Sequence, residues 1–315
     1  MATADAEVSR TKAWLMAARP QTLPAGASPV VVGTAVAVSA GVFAPLPAVA
    51  ALLGALLLQV GTNFANDYYD AVKGADTAER EGFTRVTAGG LIEPASVKRA
   101  MAATYALAVV VGLYLVYVGG LPILVVGLSS IAAGIAYTGG PYPYGYRGLG
   151  DLFVFVYFGL VAVVGTYYVQ AAATLPGVEP LTVGIPAGTV TAAALVASLP
   201  AAGLSTAILV VNNIRDRESD AKAGKKTLAV LLGYAASRAE FCLLVGMAYV
   251  VPVVFALDPA FGLPALLPLV TLPLAASVTK TVLTRTDGAA LNPTLERTGQ
   301  LLALHSVCFA AGLIL

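Results

Sequence analysis

The amino-acid sequence predicts an all-α polytopic membrane protein, and three observations carry that class. The chain is 58% hydrophobic and 11% charged over 315 residues, with a mean hydropathy of +0.83, which is too apolar for a soluble domain. Apolar runs of spanning length recur from end to end, separated by Gly, Pro or charged residues. With nine spans, all 18 Lys and Arg residues fall on the side of the N-terminus, and this one-sided pattern is what the positive-inside rule demands.

In chain order, the spans are expected near residues 20–41, 45–65, 97–118, 121–138, 151–172, 185–212, 239–256, 262–283 and 298–315. Gly119-Gly120 followed by Pro122 marks a tight hairpin between the third and fourth. Pro200 and Gly203 suggest a kink or break in the sixth. Nothing has the composition of a separate soluble domain, so residues 1–315 form one membrane domain, with 1–18 as an N-terminal cytoplasmic segment. The positive-inside rule puts the N-terminus and the loops 66–96, 139–150 and 213–238 in the cytoplasm of a plasma-membrane protein. The opposite loops carry only Glu179 and Asp258.

Several function classes drop out. A net charge of +1 leaves no basic surplus for nucleic acid. Cys242 and Cys308 lie in apolar runs without metal-ligand or redox spacing and read as core. Asp5 and Glu7, ahead of any apolar stretch, argue against a cleavable signal peptide. His305, the one His of the sequence, sits in the last apolar run and reads as a buried structural residue.

The chemistry concentrates in two acid-rich stretches at the ends of apolar runs: Asn63 to Asp70, with Asp76 beyond, and Asn212 to Asp220. On a helix Asn63, Asp67 and Asp70 fall at i, i+4 and i+7, and Asn212, Asp216 and Asp220 at i, i+4 and i+8, so each set shares one face. Either face alone repels itself. Two such faces turned toward each other make a site for Mg²⁺ and a polyanion such as diphosphate. Lys73, Arg80 and Arg85 follow the first stretch and Lys222, Lys225 and Lys226 the second, within reach of that anion, although the same cations also serve to hold the loops inside. A metal-bound diphosphate at the mouth of an apolar bundle points to a lipid diphosphate with its tail among the helices. Loss of the diphosphate leaves an allylic cation, which Tyr68, Tyr69, Tyr137, Tyr142, Tyr144, Phe153 and Tyr157 are placed to shield while stacking on an electron-rich aromatic acceptor.

A run of motifs then carries a resemblance. These are Arg19-Pro20-Gln21-Thr22-Leu23-Pro24-Ala25; Gln59 through Asp70 and on through Lys73-Gly74-Ala75-Asp76 to Arg80; Ala136-Tyr137-Thr138-Gly139-Gly140-Pro141; Tyr144 through Asp151; Val211 through Asp216 with Asp220; Gly224-Lys225-Lys226-Thr227-Leu228; and Leu291-Asn292-Pro293. Over nearly its whole length the chain is similar to the UbiA superfamily of intramembrane aromatic prenyltransferases, and within it to the branch whose acceptor is 1,4-dihydroxy-2-naphthoate. The resemblance implies a UbiA-like bundle with cytoplasmic Asp-rich loops. It also implies transfer from an allylic polyprenyl diphosphate to that acceptor, with loss of diphosphate and CO₂ to give a demethylmenaquinone.

By the same resemblance, Asn66, Asp67, Asp70, Asp76, Asp216 and Asp220 bind diphosphate through Mg²⁺, with Asp67, Asp70, Asp216 and Asp220 central to catalysis. Gly74 stands where the general superfamily pattern has its last Asp, and Asp76 replaces it. Asn63 and Asn212 orient ligands. The substrate-binding candidates are Asn63, Asn66, Lys73, Arg80, Arg85, Tyr137, Arg147, Asn212 and Lys225, with Arg19, Arg147 and Lys225 as candidate partners of the acceptor's carboxylate and hydroxyls. Two readings compete: a superfamily enzyme using 4-hydroxybenzoate, homogentisate or a glycerol phosphate lipid, and a cation-coupled transporter.

Overall fold

The computed structural model describes residues 8–74 and 85–315, and all the regular structure among them is helical. The α-helices are α1 (Arg10–Ala18), α2 (Leu23–Ser39), α3 (Pro45–Val72), α4 (Pro94–Ala136), α5 (Gly150–Phe155), α6 (Ala162–Thr174), α7 (Ala192–Lys222), α8 (Leu228–Ala256), α9 (Leu272–Thr284) and α10 (Gly288–Ile314). A π-helical turn, Val156–Val161, joins α5 to α6, and 3₁₀ segments Pro20–Thr22, Tyr144–Arg147 and Leu263–Thr271 precede α2, α5 and α9.

Among the described residues seven helices are long and apolar enough to cross a membrane, so the chain is a multi-pass membrane protein. The expected nine differ for two reasons. The third and fourth spans are the two arms of the 43-residue α4, which count as one long helix although the backbone leaves helical geometry between them at Gly120 (φ 69°, ψ −155°). The C-terminal α10, 27 residues long, carries too many polar groups to count among the seven.

Gly120 is required there twice over, by its left-handed φ and because a Cβ would lie 1.9 Å from the Thr182 carbonyl oxygen. That carbonyl accepts from the Leu121 N–H at 2.8 Å, docking the 175–191 connection onto the hairpin.

Four expected boundaries move. α3 runs on to Val72 and α7 to Lys222, so both acid-rich stretches are the last turns of helices rather than loops. Part of the fall in hydropathy there comes from an inner face that turns polar: Asn63, Asp67, Asp70 and Asp216 are all buried in protein. α7 also begins at Ala192 and shows no break at Pro200 or Gly203. Gly203 is instead a packing position, where a Cβ would come within 2.7 Å of the Leu244 carbonyl oxygen of α8. α8 starts earlier than expected, at Leu228, with a bend at Gly233. His305 is fully buried, its Nε2 2.9 Å from the Ala248 carbonyl oxygen.

α3 packs along α4, α7 along α8, and α2 against α10 and α6. Both acid-bearing helix ends therefore finish at one end of the bundle, beside the 137–149 connection.

Candidate active site

The first acidic set lies on the last turns of α3. Asp67 is 1% exposed and accepts from the Thr87 backbone N–H at 3.1 Å and from the Thr87 hydroxyl, while Arg19 lies 3.9 Å away. Asp70 takes Arg85 Nη2 at 2.9 Å on one oxygen and the Tyr146 hydroxyl on the other. Asn66 accepts from the Thr138 hydroxyl at 3.0 Å. Asn63, one turn deeper, donates to the Ala18 carbonyl at 2.8 Å and to the Thr22 hydroxyl oxygen at 2.9 Å, tying the Pro20–Thr22 turn to α3.

The second set, on α7, is organised around Arg215. Its Nε and Nη2 grip both oxygens of Asp216 at 2.8 and 2.7 Å, the bidentate form that orients a carboxylate most tightly. Nη2 also reaches Asn212 Oδ1 at 2.7 Å, and Nη1 reaches Asn292 Oδ1 on α10 at 2.8 Å. Asp220, one turn on, faces Lys225 Nζ at 3.7 Å.

The two sets meet through the 137–149 connection. Tyr146 bonds Asp70 through its hydroxyl, carries Lys225 Nζ over its ring at 4.8 Å, and accepts the Lys226 N–H on its carbonyl at 2.8 Å. Burial, with Asp151, Tyr144, Asp220 and Asp70 around it, pushes the Tyr137 hydroxyl well above the ordinary tyrosine pKa. That hydroxyl thus feels carboxylates from both acidic sets. Lys73 is drawn away to the Thr138 and Gly140 carbonyls at 2.6 and 3.1 Å, and desolvation lowers its pKa against the pull of Asp70.

Beneath this junction opens a cavity of about 470 Å³. Arg19, Asn63, Asn66, Arg85, Asn212 and Arg215 line its polar end, and Leu113, Leu124, Val126, Phe158 and Val161 its apolar reach between α4 and the α5–α6 span. Tyr137, Tyr144, Phe153 and Tyr157 line it as a ladder of rings, Tyr144 stacked on Phe153 at 4.0 Å. Leu113 and Leu128 are also exposed on the outer surface, so the apolar reach opens toward lipid.

The cavity brings Asn63, Asn66, Arg85, Tyr137 and Asn212 together. Asp67, Asp70 and Asp216 stand behind it, each beside a lining arginine, and Lys225 and Asp220 stand beside Tyr146. Arg147 is not brought in: it is exposed and stacks on the Tyr142 ring at 3.9 Å. Tyr68, Tyr69 and Tyr142 do not line the cavity either. Asp76 and Arg80 lie outside the described residues.

Among the described residues no three carboxylate, His or Cys side chains form a ready metal centre, because each Asp is turned to a protein cation or hydroxyl. The oxygen-only donors Asn66, Asp67, Asp70, Asp216 and Asp220 nonetheless suit a hard divalent cation. Sequence reasoning gave no role to Thr87, Tyr146, Arg215 or Asn292. For Arg215 a signal was available, since an Arg beside an Asp in an apolar helix needs a buried partner.

Both the sequence and the fold have known relatives. The chain matches the UbiA prenyltransferase family over residues 27–304. It is 40% identical to an Escherichia coli (strain K12) 1,4-dihydroxy-2-naphthoate octaprenyltransferase, with 99% of this chain and 98% of that protein covered. Its fold is shared with the apo UbiA homolog of Aeropyrum pernix K1, at a TM-score of 0.67 and 15% identity, covering 91% of this chain and 96% of that one. The UbiA homolog of Archaeoglobus fulgidus bound to DMAPP and Mg²⁺ matches at a TM-score of 0.56 and 16% identity, covering 94% and 98%. With a family match over most of its length and a relative this similar from end to end, the chain belongs to the UbiA prenyltransferase family.

Proposed function

We propose that this protein transfers a polyprenyl group from an allylic polyprenyl diphosphate to 1,4-dihydroxy-2-naphthoate, releasing diphosphate and CO₂ and forming a demethylmenaquinone, with Mg²⁺ as cofactor. The observation that carries the proposal is the cavity whose polar end is walled by Arg19, Arg85, Arg215 and three Asn side chains and whose remainder is apolar. A diphosphate with a long isoprenoid tail has the same division. The acceptor is supported by the end-to-end similarity to a naphthoate octaprenyltransferase, and the cation by a family homolog bound to DMAPP and Mg²⁺.

The chemistry closes without a net base. The allylic C–O bond breaks and its electron pair leaves on diphosphate. The ring carbon bearing the carboxylate bonds to the allylic carbon, and the pair of the broken C–CO₂ bond returns to the ring as CO₂ departs. Arg85 and Arg215 stabilise the charge developing on the leaving diphosphate. Asn66, Asp67, Asp70, Asp216 and Asp220 hold the Mg²⁺, which when bound supplies further charge stabilisation for the leaving group. Tyr137, Tyr144, Phe153 and Tyr157 present ring faces to the allylic cation and keep water from it. The one-sided distribution of Lys and Arg supports a plasma-membrane protein with its N-terminus and site facing the cytoplasm.

The test is a mass-spectrometric product assay on protein in nanodiscs, with a panel of polyprenyl diphosphates and aromatic acceptors. The expected product is a prenylated naphthoquinol that has lost the carboxylate. A product that retains the carboxylate, or faster turnover of 4-hydroxybenzoate, overturns the acceptor assignment.

A further inference from the structure

Gln59 lies on α3 one turn below Asn63 and two turns below Asp67, about 12 Å deeper along the helix than Asp67 at 1.5 Å per residue. It is only 8% exposed and lines the cavity. A buried amide at this depth of a spanning helix is costly unless both ends are used. Only one end is.

The Thr22 hydroxyl donates to the Arg19 carbonyl at 2.9 Å. With its proton committed to a group that only accepts, that hydroxyl has only lone pairs to offer Gln59 and Asn63. Both amides approach it, Gln59 Nε2 at 2.9 Å and Asn63 Nδ2 at 2.9 Å. The orientation of the Gln59 amide is therefore fixed by hydrogen-bond logic, its nitrogen toward Thr22 and its oxygen away. That oxygen is buried and accepts no hydrogen bond.

We infer that Gln59 Oε1 accepts a hydrogen bond from a phenolic hydroxyl of the bound acceptor, so that Thr22 and Gln59 together read that hydroxyl. This rests on the functional reading above. The bare oxygen selects a donor and repels a carboxylate, so the acid group of the substrate must turn the other way, toward the arginines at the polar end. In 1,4-dihydroxy-2-naphthoate the 1-hydroxyl is ortho to the carboxylate and donates to it internally. The hydroxyl left to meet Gln59 is the 4-hydroxyl. An acceptor whose hydroxyl sits para to its carboxylate, such as 4-hydroxybenzoate, spans the two recognition points differently.

The test compares the full-length wild type with Gln59→Met, which keeps side-chain length, and Thr22→Val, which removes the hydroxyl that locks the amide. Three quantities are read: the Michaelis constant for the dihydroxynaphthoate acceptor, the competitive inhibition constant for its analogue 1-hydroxy-2-naphthoate, which lacks only the 4-hydroxyl, and the Michaelis constant for the polyprenyl diphosphate. The wild type is expected to bind the analogue about ten- to a hundredfold more weakly than the parent, the range for a buried acceptor left unpaired. Both variants are expected to bind parent and analogue within about threefold of each other on the same scale, with the diphosphate constant of Gln59→Met unchanged. A Gln59→Met protein that keeps the wild-type ratio overturns the inference. If that variant does not fold, retention of the ratio by Thr22→Val overturns it. If the wild type turns over no naphthoate, the functional reading fails instead. The same hydroxyl-deletion ratio, taken on whichever phenol the protein does prenylate, then decides the role of Gln59.

Discussion

The Tyr146 hydroxyl donates to Asp70 while the Tyr146 ring lies beneath the ammonium of Lys225, 4.8 Å from its centre. Lys225 in turn sits 3.7 Å from Asp220. One tyrosine thus couples the carboxylates of two helices that are about 150 residues apart in the chain.

Removing only its hydroxyl should separate two contributions. Tyr146→Phe keeps the ring under Lys225 and loses one hydrogen bond to a charged group, worth about 1.5 to 3 kcal/mol. We expect a ten- to hundredfold loss in kcat/KM for the polyprenyl diphosphate at about 1.4 kcal/mol per tenfold, and a larger loss for Tyr146→Ala. Steady-state kinetics at saturating acceptor check both.

The two central aspartates should fail differently. Asp67→Ala and Asp216→Ala are each expected to cut turnover by more than about a hundredfold, the scale of losing one charge-stabilising group. Asp216→Ala also strands Arg215, whose side chain is 1% exposed, and breaking a buried ion pair costs about 3 to 5 kcal/mol. Asp67 has Thr87 as its nearest partner and Arg19 only at 3.9 Å, so its removal leaves less behind. The thermal unfolding temperature in detergent should drop markedly for Asp216→Ala and much less for Asp67→Ala.

Chelation of divalent cations should stop diphosphate release, and added Mg²⁺ should restore it. The donors are carboxylate and amide oxygens, without His or Cys, so Zn²⁺ should substitute poorly. A coupled pyrophosphate assay with buffered metals reads this out. Turnover that survives chelation removes the metal from the reading.

Topology is testable with single cysteines in a background lacking Cys242 and Cys308. Arg147 and Leu181 are both exposed and lie at opposite ends of the α5–α6 span. Impermeant thiol reagents are expected to reach Leu181→Cys from outside intact cells and Arg147→Cys only after lysis. Labelling of Arg147→Cys from outside, with Leu181→Cys protected, would invert the orientation.

Much of this is legible in the sequence alone. The i, i+4, i+7 spacing from Asn63 already placed Asp67 and Asp70 on one face, and Gly119-Gly120 already marked the hairpin. Burial of both acidic sets inside helices was not legible, because a hydropathy window averages over a face that turns inward. The pairings Thr87 to Asp67, Tyr146 to Asp70 and Arg215 to Asn292 bridge 20, 76 and 77 positions. No local periodicity encodes contacts of that separation; only the packed bundle creates them. Lys73 shows the converse. Its position beside Asp70 suggested an anion ligand, yet the carbonyls of Thr138 and Gly140 claim it.

The grip of Arg215 on Asn292 gives the final helix a duty out of proportion to its share of the cavity wall, which is Leu295 alone. α10 is the counterweight that keeps the second acidic set aimed. A chain cut short after α9 would retain every aspartate of both sets, yet Arg215 would keep only the partners on its own helix and lose its anchor on α10. Such a truncation should pass a search for the two Asp-rich motifs and still be dead in the membrane.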